Sequence, residues 1–142
     1  MKITSRTEYG LRAAVYLAAR GATAPLAEIA AAEGIPVAFL ERVLARLREA
    51  SIVATTRGAS GGYRLAREPA RVAVADVVTA LEGPLALVEC MQSDRSCVRA
   101  EGCASRVVWR RLDEAITQAL AGISLADLVS GPAPSSREGA GQ

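Results

Sequence analysis

Two helix-forming segments set almost end to end are the feature that most narrows what this chain can fold into. Pro25 leads into LAEIAAAEG, a short helix closed by Gly34, and Pro36 opens PVAFLERVLARLREA two residues later. Proline at the start and glycine past the end are the expected helix boundaries. In the second segment Leu40, Val43, Leu44 and Leu47 share one face, and Ala38, Arg42, Arg46 and Glu49 fall roughly opposite. Ala30 precedes Gly34 by four residues. That spacing puts a small side chain where two helices approach and a glycine where the chain takes a left-handed turn. Ile29, Ile35, Leu40 and Val43 would fill the small core between the helices. The pair reads as a helix-turn-helix; the rival is an ordinary αα-hairpin in a bundle.

The residues after Ala50 favour the helix-turn-helix. SIVATT is short and β-branched, RGASGG is a glycine turn, and YRLAR alternates again, which predicts a β-hairpin. Its tip carries Arg57 and Arg64 beside Gly61 and Gly62, which would let the backbone come close to a nucleic-acid strand. No Gly-Lys-Ser/Thr comes after these glycines and they enter a strand, so a phosphate-cradling nucleotide loop is disfavoured. A helix-turn-helix followed by a basic hairpin reads as a winged helix. Its second helix would offer Pro36, Val37, Ala38, Phe39 and Arg42 to a major groove, with its N-terminus facing phosphate.

The remaining segments complete a mostly α fold with one small hairpin. TSRTEYGLRAAVYLAAR predicts a first helix capped by Thr4 or Ser5. VAVADVVTALEG predicts a helix ending at Gly83 and Pro84. SRVVWRRLDEAITQALAG predicts a long one in which Trp109, Leu112, Ile116 and Leu120 make a seam suited to a second helix. SLADLVSG is a last short helical piece, and the Pro/Gly/Ser-rich tail from Pro132 is expected to be disordered. The expected organisation is a winged helix-turn-helix DNA-binding domain over 1–83, a cysteine-rich loop over 84–103, a dimerisation helix and helical piece over 104–130, and a tail over 131–142.

Charge is divided unevenly. Residues 1–67 hold ten Lys/Arg and five Asp/Glu, net +5; residues 68–142 hold seven and ten, net −3. The basic half is therefore the candidate surface for a polyanion. Arg6, Glu8, Arg12 and Arg20 interrupt any apolar run near the N-terminus, and no run reaches the roughly 20 apolar residues of a membrane span. The expectation is a cytoplasmic protein with reduced thiols. An enzyme is disfavoured, because the chain has no histidine, no nucleophile beside a base and no paired carboxylates in an evident pocket.

All three cysteines, Cys90, Cys97 and Cys103, lie in the polar stretch ECMQSDRSCVRAEGCA with spacing C-x6-C-x5-C. An odd count argues against a disulfide framework, and the spacing is not that of a zinc ribbon. Clustered soft thiolates suit an iron–sulfur cluster, zinc or copper(I). A reversible disulfide between two of them is the alternative.

The stretches MKITSRTEYGLRAAVYLA, IPVAFLERVLARLREASIV, RGASGGYRLAR and ITQALAGISLADLV, together covering about residues 1–130, resemble the Rrf2 family of bacterial winged-helix transcription regulators. The GGYRLAR wing with a downstream three-cysteine loop is similar to its cluster-binding members. The resemblance implies a homodimer on a palindromic DNA operator, a repressor, and an iron–sulfur cluster held by Cys90, Cys97 and Cys103. It also marks a departure. A histidine ligand found three residues after the third cysteine in some members is Arg106 here, which cannot ligate. Others use a carboxylate at the start of the first helix, and the matching residue is Glu8; Glu89, Asp94, Glu101 or a small exogenous ligand are the alternatives. A cluster-free regulator sensing redox through thiols, or one with a structural zinc, is the alternative.

Overall fold

The computed structural model describes residues 3–84 and 103–131. The expectations for Cys90, Cys97 and the tail from Pro132 fall outside the described residues.

The chain opens with α1 (Ser5–Arg20), capped by the Thr4 hydroxyl, which accepts from the Thr7 backbone N–H at 3.4 Å. It closes at Gly21, whose φ of 66° places it in the left-handed region. Ala13, Ala14, Leu17 and Ala18 form its buried stripe. α2 (Leu26–Glu33) and α3 (Val37–Glu49) flank the joint expected from the sequence. Gly34 turns left-handed at φ 64°, and Ile35, buried, donates its N–H to the Ala30 carbonyl at 3.0 Å. Leu40, Val43, Leu44 and Leu47 are all buried, so the face assigned to the core is the face that reaches it.

β1 (Val53–Thr56) and β2 (Gly62–Leu65) pair antiparallel, from Val53 opposite Leu65 to Thr56 opposite Gly62. Ala24 adds a single bridge to the edge of this hairpin, exchanging hydrogen bonds of 2.9 and 2.8 Å with Tyr63. That bridge accounts for Gly62. A Cβ there would lie 2.2 Å from the Ala24 carbonyl oxygen, at a φ of 152° that side chains rarely adopt. The glycine is thus required by the wing's own docking.

After a single 3-10 turn (Pro69–Arg71), α4 (Val74–Glu82) begins with the Asp76 carboxylate accepting from the Ala73 N–H at 2.9 Å, and ends at Gly83. α5 (Ala104–Ala121) packs against α4 without burying any residue of its own. The chain then turns back. Ser124 caps α6 (Leu125–Val129), and backbone bonds from Val74 N–H to the Ile123 carbonyl (2.8 Å) and from Leu125 N–H to the Val72 carbonyl (2.9 Å) seat this piece beside the start of α4. Leu125 is fully buried and belongs to the same core as Leu17, Leu44 and Leu81. Each such leucine contributes about 1.5–3 kcal/mol by burial. α1 is the hub, packing against α2, α3, α4, α6 and β2. No described helix is long and apolar enough to cross a membrane.

Candidate nucleic-acid interface

The exposed side of α3 carries the residues expected to read a groove. Pro36, Val37, Ala38 and Arg42 are all exposed, Val37 at 49% despite being apolar. Phe39 is half-buried, because its ring packs edge-on against Tyr9 of α1, with centroids 5.5 Å apart and planes at 90°. The Arg42 guanidinium lies 5.7 Å from the Phe39 centroid, and Arg12 lies 5.6 Å from that of Tyr9. Arg12 is tied down further. Its Nε is 3.1 Å from a Glu33 carboxylate oxygen, and its guanidinium also donates to the Glu33 carbonyl, one residue before the turn. A row of arginine, tyrosine, phenylalanine and arginine therefore braces the start of α3 against α1. Sequence reasoning placed Phe39 and Arg42 here but missed Tyr9 and Arg12. Their signal would have been two aromatics on different helices, which one-dimensional spacing does not link.

On the wing, Arg57 and Arg64 are exposed, and Arg64 donates to the Leu65 carbonyl at 3.3 Å. Gly61 sits where a Cβ would meet the Thr56 carbonyl at 2.3 Å, so the tip closes on itself there.

Between α1 and α3 runs a groove of about 310 Å³ lined by Arg6, Phe39, Arg42, Val43 and Arg46. Arg6 and Arg46 both donate to one acceptor, the Leu81 carbonyl, at 3.2 and 3.4 Å. The adjacent Glu82 carboxylate accepts from the hydroxyls of Thr4 and Thr7. Those two hydrogen bonds, helped by the nearby Arg6 and Arg46 charges, hold its carboxyl below the ordinary glutamate range.

Cys103 is the residue before α5 and is partly exposed, with its Sγ 3.1 Å from the Ser105 hydroxyl. Glu8, in the first turn of α1, is exposed. Among the described residues no three His, Cys, Asp or Glu side chains are gathered as for a metal ion. α5 presents apolar side chains to solvent: Val107 is 58% exposed, Val108 56%, Trp109 36% and Leu112 45%. Ile116 and Leu120, further along the expected seam, are half-buried.

A helix-turn-helix, a basic hairpin and a buttressing first helix define a winged-helix DNA-binding protein. The chain belongs to the Rrf2 family, described as "Iron-dependent Transcriptional regulator", which it matches over residues 3–131. It is 36% identical over 131 residues to the HTH-type transcriptional regulator IscR of Xenorhabdus nematophila, an alignment covering 91% of this chain and 79% of that one. Among solved structures, CymR (YrzC), the global cysteine regulator of B. subtilis, aligns with a TM-score of 0.79 at 32% identity, over 92% of this chain and 97% of that one. IscR of T. potens aligns with a TM-score of 0.75 at 32% identity, over 92% and 87%. The chain is a DNA-binding transcription regulator, and these relatives are regulators rather than enzymes.

Proposed function

We propose that this regulator is a cytoplasmic homodimer that represses from a palindromic operator, with Cys90, Cys97 and Cys103 holding an iron–sulfur cluster that governs its grip on DNA. The observation that carries the reading is the donor set. The chain's only three thiols are gathered within fourteen residues, in a chain without histidine, and soft thiolates select such clusters. Cys103 suits a ligand: a thiolate at this position faces the positive end of the α5 dipole. Glu8 is the candidate fourth ligand, an exposed carboxylate at the start of α1. A bound cluster would supply a centre open to attack by oxygen or nitric oxide.

The protein's own residues supply the rest. α3 enters the major groove with Pro36, Val37, Ala38, Phe39 and Arg42, while Arg57, Gly61, Gly62 and Arg64 bring the wing against the flanking backbone. Trp109, Leu112, Ile116 and Leu120 join two copies of α5. Because Cys103 leads directly into that helix, a change at its sulfur is adjacent to the element that sets the spacing of the two reading heads. The thiol state shifts DNA affinity only insofar as one arrangement binds better.

A second reading has specific support. The likeness to CymR of Staphylococcus aureus, solved in an oxidized form, fits a cluster-free regulator in which two of the three thiols form a reversible disulfide. An anaerobic absorbance spectrum with iron and sulfide analysis on freshly purified protein separates the two. Broad visible bands that vanish in Cys97→Ala are the expected result. A colourless protein that resists reconstitution with iron and sulfide points to the thiol switch, or to zinc if one tight zinc is found.

A further inference from the structure

We propose that the groove between α1 and α3 seats one phosphate of the DNA backbone, gripped by Arg6 and Arg46. This rests on the DNA-binding reading of α3 and adds a contact site that neither the recognition residues nor the wing supplies.

Three observations carry it. The first is the handling of charge. Arg12, Arg20 and Arg71 each face a carboxylate within 4 Å, whereas Arg6, Arg42 and Arg46 line one groove and take part in none of the ion pairs among the described residues. Glu82, the carboxylate beside them, offsets part of the charge of Arg6 and Arg46, but its hydrogen bonds go to the hydroxyls of Thr4 and Thr7, and three guanidinium groups face one carboxylate. Three guanidinium groups around a cavity repel one another, and an anion entering the cavity relieves that repulsion. The second is preorganisation. Arg6 and Arg46 come from different helices, yet each spends one N–H on the same Leu81 carbonyl. A guanidinium has five donors in a rigid fork. Each arginine is therefore held in place by one bond and keeps donors for a tetrahedral oxyanion. The third is continuity. Arg46 lies one helical turn beyond Arg42 on the exposed side of α3, about 6 Å along the axis. With the start of α3 in a major groove, the next turn meets the groove's edge, where the phosphates run.

Phosphate contacts position a protein without reading sequence. The predicted signature is a loss shared by all duplexes. Arg6→Gln/Arg46→Gln keeps a polar amide at each position and removes both charges. Its binding would be measured by titrating salt against a random-sequence duplex and against one selected by the wild-type protein from a random pool. The expected result is an equal fold-loss on both, with the slope of log K against log salt reduced by about 0.9 per subunit, one phosphate's worth of released counterions. Arg6→Lys/Arg46→Lys, which keeps the charges, should retain the wild-type slope. An unchanged slope in the glutamine variant, with melting temperature preserved, overturns the seat. So does a loss confined to the selected duplex, which would make these arginines base readers. Inorganic phosphate is the control for a free anion: saturable phosphate binding abolished by the glutamine variant, with duplex binding intact, also overturns it. If the wild-type protein itself shows no salt-dependent duplex binding, the DNA-binding reading fails with it.

Discussion

Arg42 leans over the ring of Phe39, which leans on Tyr9. A stacked arginine has fewer orientations to lose when it meets a base edge. Arg42→Ala is therefore expected to weaken binding to the preferred operator by about 1–3 kcal/mol while changing affinity for random duplex far less. Arg57→Ala or Arg64→Ala, on the exposed wing, should weaken both. Competition binding with the two duplexes makes the comparison, and an equal loss in Arg42→Ala would move the reading surface away from this residue. Residues such as Leu40, Val43 and Leu47 were legible because their burial follows the period of a single helix. Gly10 was not. A Cβ on it would lie 2.2 Å from Leu81 Cδ1 and 3.0 Å from Val43 Cγ1. It is the point where α1, α3 and α4 meet, and no local spacing announces a three-helix contact.

At the scale of elements, the described α-helices and the hairpin were foreshadowed by local sequence, while the 3-10 turn Pro69–Arg71 and the docking of the elements were not. Pro25, Gly34, Pro36 and Gly83 mark ends because proline and glycine act through the local backbone. The link between the start of α1 and the end of α4 joins residues 75 or more apart, through Thr4, Thr7 and Glu82. Its pH dependence comes from the lowered Glu82 carboxyl. A depressed carboxylate stabilises the fold fully above its ordinary value of 4.5 and loses that contribution as pH falls through its lower folded value. Glu82→Gln should thus cost about 1 kcal/mol near neutral pH, the modest figure for an exposed charged contact. The gap from wild type should narrow on acidification below 4.5. Thermal melts of both proteins across that range provide the check; a constant gap would mean the carboxylate charge plays no part.

For the molecule as a whole, α5 is the informative surface. It contributes no buried residue, and Val107, Val108, Trp109 and Leu112 stand in solvent. An apolar stripe of this kind on one helix is what a coiled-coil-like partner covers. Leu112→Glu places a charge in the proposed seam and should convert the proposed dimer to monomer in sedimentation equilibrium, with affinity for a two-half-site operator falling by about tenfold or more. A monomeric wild-type protein would remove the seam from consideration. The proposed thiol site was legible in the sequence only as composition. Three cysteines in one polar stretch are visible in any reading, whereas spacing alone does not say what they bind.

The return of the chain after α5 has a consequence for how such proteins can be taken apart. Residues 123–125 lie against 72–74, and Leu125 sits in the core that also holds α1 and α3. The DNA-reading head is therefore not a cassette that ends where the cysteine stretch begins. α5 adds nothing to that core, and the chain rejoins it at Leu125. A fusion that keeps the first eighty-odd residues and discards the rest would leave behind a plug of its own hydrophobic centre.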